Sequence, residues 1–142
     1  MKTFGTMAIS LTFCLTMLFI SSTSFAQQCL DNGGWTVTDN GTGLMWQKET
    51  AGMGTWDDAM RYVSELPLGG HSGWRLPSID ELANLNNRPC KSLMELVPSY
   101  YWSSTTYASY RLNAWIVDFG SGLVSHFNKF NTYYARAVRP AQ

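Results

Sequence analysis

Few side chains in this 142-residue sequence are suited to chemistry, and their spacing argues against most of what those residue types can do. His71 and His126 form no His-x-His or His-x-x-x-His pair. A zinc site would need both to converge with a carboxylate or a cysteine. No Asp-x-Asp-x-Asp-Gly run supplies the clustered oxygens of a calcium loop. Scattered oxygen ligands are the remaining route to that ion. Serines are plentiful, but there is no Gly-x-Ser-x-Gly elbow, and neither histidine is flanked by an obvious partner. Asp57-Asp58 and Asp80-Glu81 are adjacent pairs, which point apart on a helix and suit its positive start. No glycine loop is spaced to cradle a phosphate. The residues therefore predict no catalysis, no metal and no cofactor.

Aromatic residues are the more informative group. Six Trp, seven Tyr and seven Phe make up 14% of the chain, matching the 14% that is charged. Trp35, Trp46, Trp56, Trp74, Trp102 and Trp115 fall on the faces of predicted elements and are expected in the core. Tyr107, Tyr110, Phe130, Tyr133 and Tyr134 lie in or beside loops of the last third, close in sequence to Arg111, His126, Asn128, Lys129 and Asn131. Rings stack on sugar faces, while amides and cations bond hydroxyls or anionic groups. The candidate ligand-binding set is Tyr107, Tyr110, Arg111, His126, Lys129 and Tyr133. The alternative is that these tyrosines pack over a sheet edge with their hydroxyls in water. Charge favours a contact face, since residues 101–142 carry Arg111, Lys129, Arg136 and Arg139 against Asp118 alone. The chain as a whole is close to neutral, which argues against nucleic acid as a partner.

Residues 1–26 read as a secretory signal. Lys2 precedes an apolar run from Met7 to Ile20, and Ser24 and Ala26 occupy the small-residue positions of a cleavage site. The run is short for a membrane span of about 20 residues. The expected product is a single domain, residues 27–142, that is periplasmic, cell-surface or secreted and has no transmembrane span. Cys14 leaves with the signal. In an exported protein the remaining Cys29 and Cys90 read first as one disulfide, with a reactive thiol pair as the other reading.

The elements that must hold these residues follow from local pattern. Trp35 to Thr38 and Leu44 to Gln47 read as strands joined through an Asn40-Gly41 turn. Thr55 caps a helix with Asp58 three residues on, and Trp56, Ala59, Met60, Val63 and Leu66 form its apolar face. Trp74 and Leu76 alternate as a strand stopped by Pro77, after which Ser78 and Glu81 make a second capping box. Leu93, Met94, Leu96 and Val97 allow one helical turn before Pro98. Beyond Tyr101 the pattern is β: Tyr101–Ser104, Asn113–Phe119, Leu123–Phe127 after Gly120-Ser121-Gly122, and Tyr133–Val138, which Pro140 cannot extend. The fold class is α+β, with two short helices early and a mainly antiparallel sheet in the C-terminal half.

In order, Asp39-Asn40-Gly41-Thr42-Gly43-Leu44-Met45-Trp46, Thr55-Trp56-Asp57-Asp58-Ala59, Gly73-Trp74-Arg75-Leu76-Pro77-Ser78 with Glu81-Leu82, Tyr101-Trp102-Ser103-Ser104-Thr105, Ala114-Trp115-Ile116-Val117-Asp118-Phe119 and Arg136-Ala137-Val138-Arg139 together resemble the Lcl C-terminal domain family. That family was long catalogued as a bacterial domain of unknown function and is named for the end domain of a collagen-like adhesin. The Arg75-Leu76-Pro77 corner and the Arg136-x-x-Arg139 strand also resemble the wider C-type-lectin-like group, which includes formylglycine-generating enzymes. The resemblance implies a C-type-lectin-like core whose loops carry recognition or adhesion. The adhesin domain is associated with sulfated glycosaminoglycans and assembles as a trimer. This chain has no collagen-like repeat, no Glu-Pro-Asn or Gln-Pro-Asp sugar triplet, and no cysteine after Cys90 for a formylglycine-type nucleophile. The expectation is an exported, non-catalytic domain binding a glycan or an anionic surface polymer. A protein-interaction module of an envelope or pilus assembly is the alternative, and a formylglycine-type enzyme stands behind it.

Overall fold

The computed structural model describes residues 28–142. The expected signal segment, residues 1–26, lies outside them. The described residues form two α-helices, one 3-10 helix and nine strands, an α+β fold as expected. Strands β1 (Cys29–Asp31), β2 (Thr36–Asp39) and β3 (Leu44–Gln47) run first, then β4 (Ala51–Gly54), helix α1 (Trp56–Ser64), helix α2 (Ile79–Asn86) and the 3-10 helix Pro89–Leu93. The last third supplies β5 (Tyr100–Thr106), β6 (Asn113–Asp118), β7 (Val124–Asn128), β8 (Tyr133–Ala135) and β9 (Val138–Pro140). They make two sheets, β1-β2-β3-β9 and β4-β8-β5-β6-β7. Every strand pair is antiparallel except β5 with β8, where Tyr101 sits beside Tyr134.

Local chemistry accounts for the helices. The Thr55 hydroxyl accepts from the Asp58 N–H, and the Asp58 carboxylate accepts from the Thr55 N–H. Ser78 and Glu81 make the same reciprocal pair at α2. Each box satisfies donors that a helix start otherwise leaves open. Asn40 to Gly43 form the turn between β2 and β3, and Gly43 adopts φ 70°, a conformation that glycine reaches without strain.

Several elements differ from expectation for physical reasons. Trp74 and Leu76 are buried, but their strand shrinks to one bridge between Arg75 and Val138, hemmed in by Gly73 at φ 77° and Pro77. The last strand splits: β8 belongs to one sheet and β9 to the other, with Arg136 and Ala137 crossing between them. Pro140 lies inside β9, opposite Leu44, as the strand's final residue. The helical turn expected around Leu93 to Val97 sits earlier, at Pro89–Leu93. Trp35 is not core. It is 57% exposed with φ 71°, carried there by the left-handed turn of Gly33 and Gly34.

Two apolar clusters hold the layers together. Ala59 and Val63 of α1 pack with Trp74, Leu76, Trp102, Ala114 and Ile116. Leu82 and Leu85 of α2 pack with Val37, Trp46, Tyr101, Val117 and Val138. Burying a large apolar side chain contributes about 2 kcal/mol, so the clusters dominate cohesion. Strands β5 and β6 feed both, through Trp102 and Ile116 to one and Tyr101 and Val117 to the other. Cys29 and Cys90 form the expected disulfide, Cα–Cα 5.2 Å, tying β1 to the 3-10 helix.

Arg136 is fully buried at the crossing between sheets. Its guanidinium donates to the carbonyls of Gln47, Lys48 and Glu95 and to the Thr50 hydroxyl. Burial pushes its pKa below the ordinary arginine value. Its role is to stitch the segment after β3 and the segment before β5 to the C-terminal strands.

Candidate functional site

The β6–β7 hairpin sets the register of the site. Antiparallel pairing across the turn at Gly120 to Leu123 places Trp115 opposite His126 and Asn113 opposite Asn128. Trp115 meets the His126 ring edge-on, with centroids 5.4 Å apart. Tyr107, the first residue after β5, lies flat on His126 at 3.7 Å and 8°, and is edge-on to Trp115 at 5.3 Å. The Asn113 amide nitrogen and His126 Nδ1 are 3.0 Å apart, so with the amide donating, Nδ1 accepts and the ring's orientation is fixed. The three rings and the amide form one preorganised block.

Beside it the loop 107–112 closes on itself and on β7. The Tyr107 N–H donates to Asn113, the Asn113 N–H to Tyr110, and the Lys129 N–H to Leu112. Lys129 is the hub of this corner. Its ammonium donates to the Thr106 hydroxyl at 2.9 Å and lies 4.0 Å from the Trp56 ring, while its carbonyl accepts from the Trp56 N–H. A cation over an aromatic face gains about 0.5–2 kcal/mol, so the ammonium is held rather than free. Thr106, Ala108, Arg111 and Lys129 then line an open cleft of about 460 Å³. Two of these four are cations and none is acidic. The Arg111 guanidinium is exposed and has no partner among the described residues. Tyr110, Leu112 and Phe130 stand at the rim, with Phe130 76% exposed.

The six expected contact residues therefore separate. Arg111 and Lys129 share the cleft. Tyr107 and His126 form the aromatic block next to it, and Tyr110 lies on the exposed rim. Tyr133 goes elsewhere. It packs against Tyr100, Trp102 and Phe127 with centroids at 5.3, 4.9 and 5.6 Å, and its hydroxyl accepts from Asn131. Burial raises its pKa above the ordinary tyrosine value. Tyr133 belongs to β8, inside the five-stranded sheet, and packs there among these rings.

Sequence reasoning missed two walls of the site, Trp115 and Trp56, by assigning every tryptophan to the core. Trp115 was within reach: counting back from the glycine turn puts it across from His126. Trp56 was not, because its contact with Lys129 joins residues 73 positions apart in the chain.

Among the described residues, no group of three or more His, Cys, Asp or Glu is placed to hold a metal ion. No described helix is long and apolar enough to cross a membrane. The model of the Lcl C-terminal domain matches residues 35–139. No curated protein matches the chain.

Proposed function

The chain belongs to the Lcl C-terminal domain family, and from that premise we propose an exported, non-catalytic recognition domain that binds a glycan or another anionic surface polymer. Its core would be C-type-lectin-like and its place periplasmic, cell-surface or secreted. The observation that carries the reading is the cleft in which Arg111 and Lys129 converge without a carboxylate in the lining. Lys129 is preorganised by Thr106 and Trp56. Arg111 is uncommitted and offers the planar fork that suits sulfate or carboxylate. The Tyr107–His126–Trp115 block supplies ring faces and edges beside the charges. Contacts of this kind at an open surface are screened by salt.

A glycan array probed at low and high salt tests the proposal. Hits among anionic glycans that weaken with salt are expected, and Arg111→Ser should lower their affinity about tenfold. Silence at both salt concentrations across neutral and sulfated glycans overturns it. The second reading, a protein-interaction module of an envelope or pilus assembly, draws on the exposed rim of Tyr110, Leu112 and Phe130. A stoichiometric protein partner from envelope extracts that survives deglycosylation would favour it.

A further inference from the structure

Each of the two sheets has two outermost strands, and an unpaired edge offers its backbone donors and acceptors to any strand that aligns with it. Three of these four edges are guarded. β1 has three residues and is clamped by the Cys29–Cys90 bridge. β9 has three, ends in Pro140, and its outward Val138 peptide groups exchange two hydrogen bonds with Arg75. β4 is interrupted by a register shift between Ala51 and Gly54. Shortness, proline and a bulge are the usual means of blunting an edge. β7 has none of them. Its five residues pair with β6 in unbroken register and include no proline, glycine, lysine or carboxylate. Lys129 follows at once, but its ammonium is turned inward to Thr106 and Trp56 and leaves the edge open.

The register identifies the open groups. The Lys129 N–H donates to Leu112 and the Asp118 N–H to Leu123, both at 2.8 Å, which fixes the hydrogen-bonded pairs at the two ends of the hairpin. Antiparallel pairs alternate, so Ser125 and Phe127 bond β6 while Val124, His126 and Asn128 turn their peptide groups outward. The Asn128 carbonyl accepts from the Asn131 N–H. The N–H groups of Val124, His126 and Asn128 and the carbonyls of Val124 and His126 have no partner among the described residues. Side chains grade along the same edge. Leu123 and Val124 are exposed where β7 begins. Arg111 and Lys129 stand where it ends, since Leu112 pairs with Lys129. Asp118, the one carboxylate of residues 101–142, lies at the opposite end and is taken up by Gly120 and Ser121.

We propose that β7 receives an extended segment of another protein as an added antiparallel strand. The segment carries carboxylates at its N-terminal end and an apolar side chain at its C-terminal end. Antiparallel alignment brings the carboxylates to Arg111 and Lys129 and the apolar side chain to Leu123 and Val124. Main-chain bonds to Val124 and His126 supply affinity, and the alternate side chains supply selection. A second copy of the chain fits less well. Stable dimers bury about 1,200 Å² or more, which a pairing of two five-residue strands, each about 17 Å long, does not reach. Strand addition uses main-chain groups that an anionic glycan does not need, so it and the cationic cleft can fail separately.

The test is amide hydrogen exchange and chemical-shift titration of residues 27–142 with the acetylated, amidated peptide Glu-Glu-Thr-Thr-Val-Thr-Ile. Saturating peptide should slow exchange at Val124 and His126 about fivefold or more and leave Ser125 and Phe127, already bonded to β6, unchanged. N-methylation of the peptide's fifth and seventh residues, whose N–H groups face β7, should weaken binding about tenfold. N-methylation of the fourth and sixth should not. Lysine in place of both glutamates should weaken it about threefold. Val124→Pro removes an outward donor and no bond to β6, so it should bind about tenfold more weakly, with unchanged β5 and β6 amide shifts certifying its fold. Unslowed exchange at Val124 and His126 in millimolar peptide, equal affinity for the two N-methylated peptides, or preference for the lysine form overturns the proposal. Slowing of the same two amides by rising protein concentration without peptide overturns it in favour of a second copy.

Discussion

At the scale of single residues, Glu81 does the most with one side chain. Its carboxylate accepts from the Ser78 N–H at 2.8 Å and from both arms of Arg75. The Arg75 hydrogen bonds are the main reason its pKa lies below the ordinary glutamate value of 4.5. A carboxyl depressed in the folded state stabilises fully above its unfolded pKa, and that stability is lost as pH falls through the folded value. Arg75 and Glu81 are partly solvated, so the contribution is about 1 kcal/mol. Glu81→Gln should therefore cost that much near pH 7 in denaturant titrations, and the difference should close once pH drops well below 4.5. A constant difference across pH would mean that the cap geometry matters and the charge does not. The Ser78–Glu81 box was legible in the sequence because it spans three residues, where spacing alone dictates encounter, whereas the pairing of Arg75 with Glu81 was not read there. Arg136 was not: its partners lie at Gln47 to Thr50 and Glu95, and nothing local marks an arginine for full burial. Trp35 misled for the converse reason, since a ring that looks like core is turned outward by the two glycines before it.

At the scale of elements, the β2–β3 hairpin shows how a local signal carries a distant constraint. Asn40-Gly41 announced a turn, and a turn is there. Yet Gly41 is needed for space. A Cβ at Gly41 would stand 2.0 Å from Arg88 Nη2, the atom that bonds Asp39. Asp39 is 1% exposed, and if Nη2 moves aside it keeps Arg88 Nε and the Gly41 N–H as donors but loses one charge-assisted hydrogen bond. Such a bond contributes about 1.5 kcal/mol. Gly41→Ala should lose roughly that amount by chemical denaturation. Gly52→Ala in β4, where a Cβ meets nothing within 4 Å, is the control and should stay within about 0.5 kcal/mol of the parent. If the two variants match, the hairpin does not depend on Arg88. The same long-range logic splits the last strand. Alternation from Tyr133 to Val138 reads as one element, but residues 136 and 137 must cross from one sheet to the other, which no local pattern records.

For the molecule as a whole, the question is whether Cys29 and Cys90 serve the fold or the chemistry. Cys90 is fully buried in the cluster with Leu82, Leu85 and Val117, and Cys29 packs against that cluster. A thiol poised for reaction sits in a partly exposed, electropositive place, which the fully buried Cys90 does not. The bridge closes a loop across 61 positions and anchors β1, the outer strand of its sheet. In the loop-entropy treatment a ring of that size contributes ~4 kcal/mol, an upper figure because native strain and residual structure subtract from it. Replacing both cysteines by serine should therefore lower the melting temperature by many degrees. The cleft is lined by Thr106, Ala108, Arg111 and Lys129, none of which belongs to the apolar cluster that holds the bridge. Below its new melting temperature the variant should accordingly bind anionic glycans with unchanged affinity. An unchanged melting temperature with binding or turnover abolished would reverse the assignment and give the thiols a chemical role. The two outcomes differ in both observables, so one thermal scan and one binding isotherm on the same preparation decide between them.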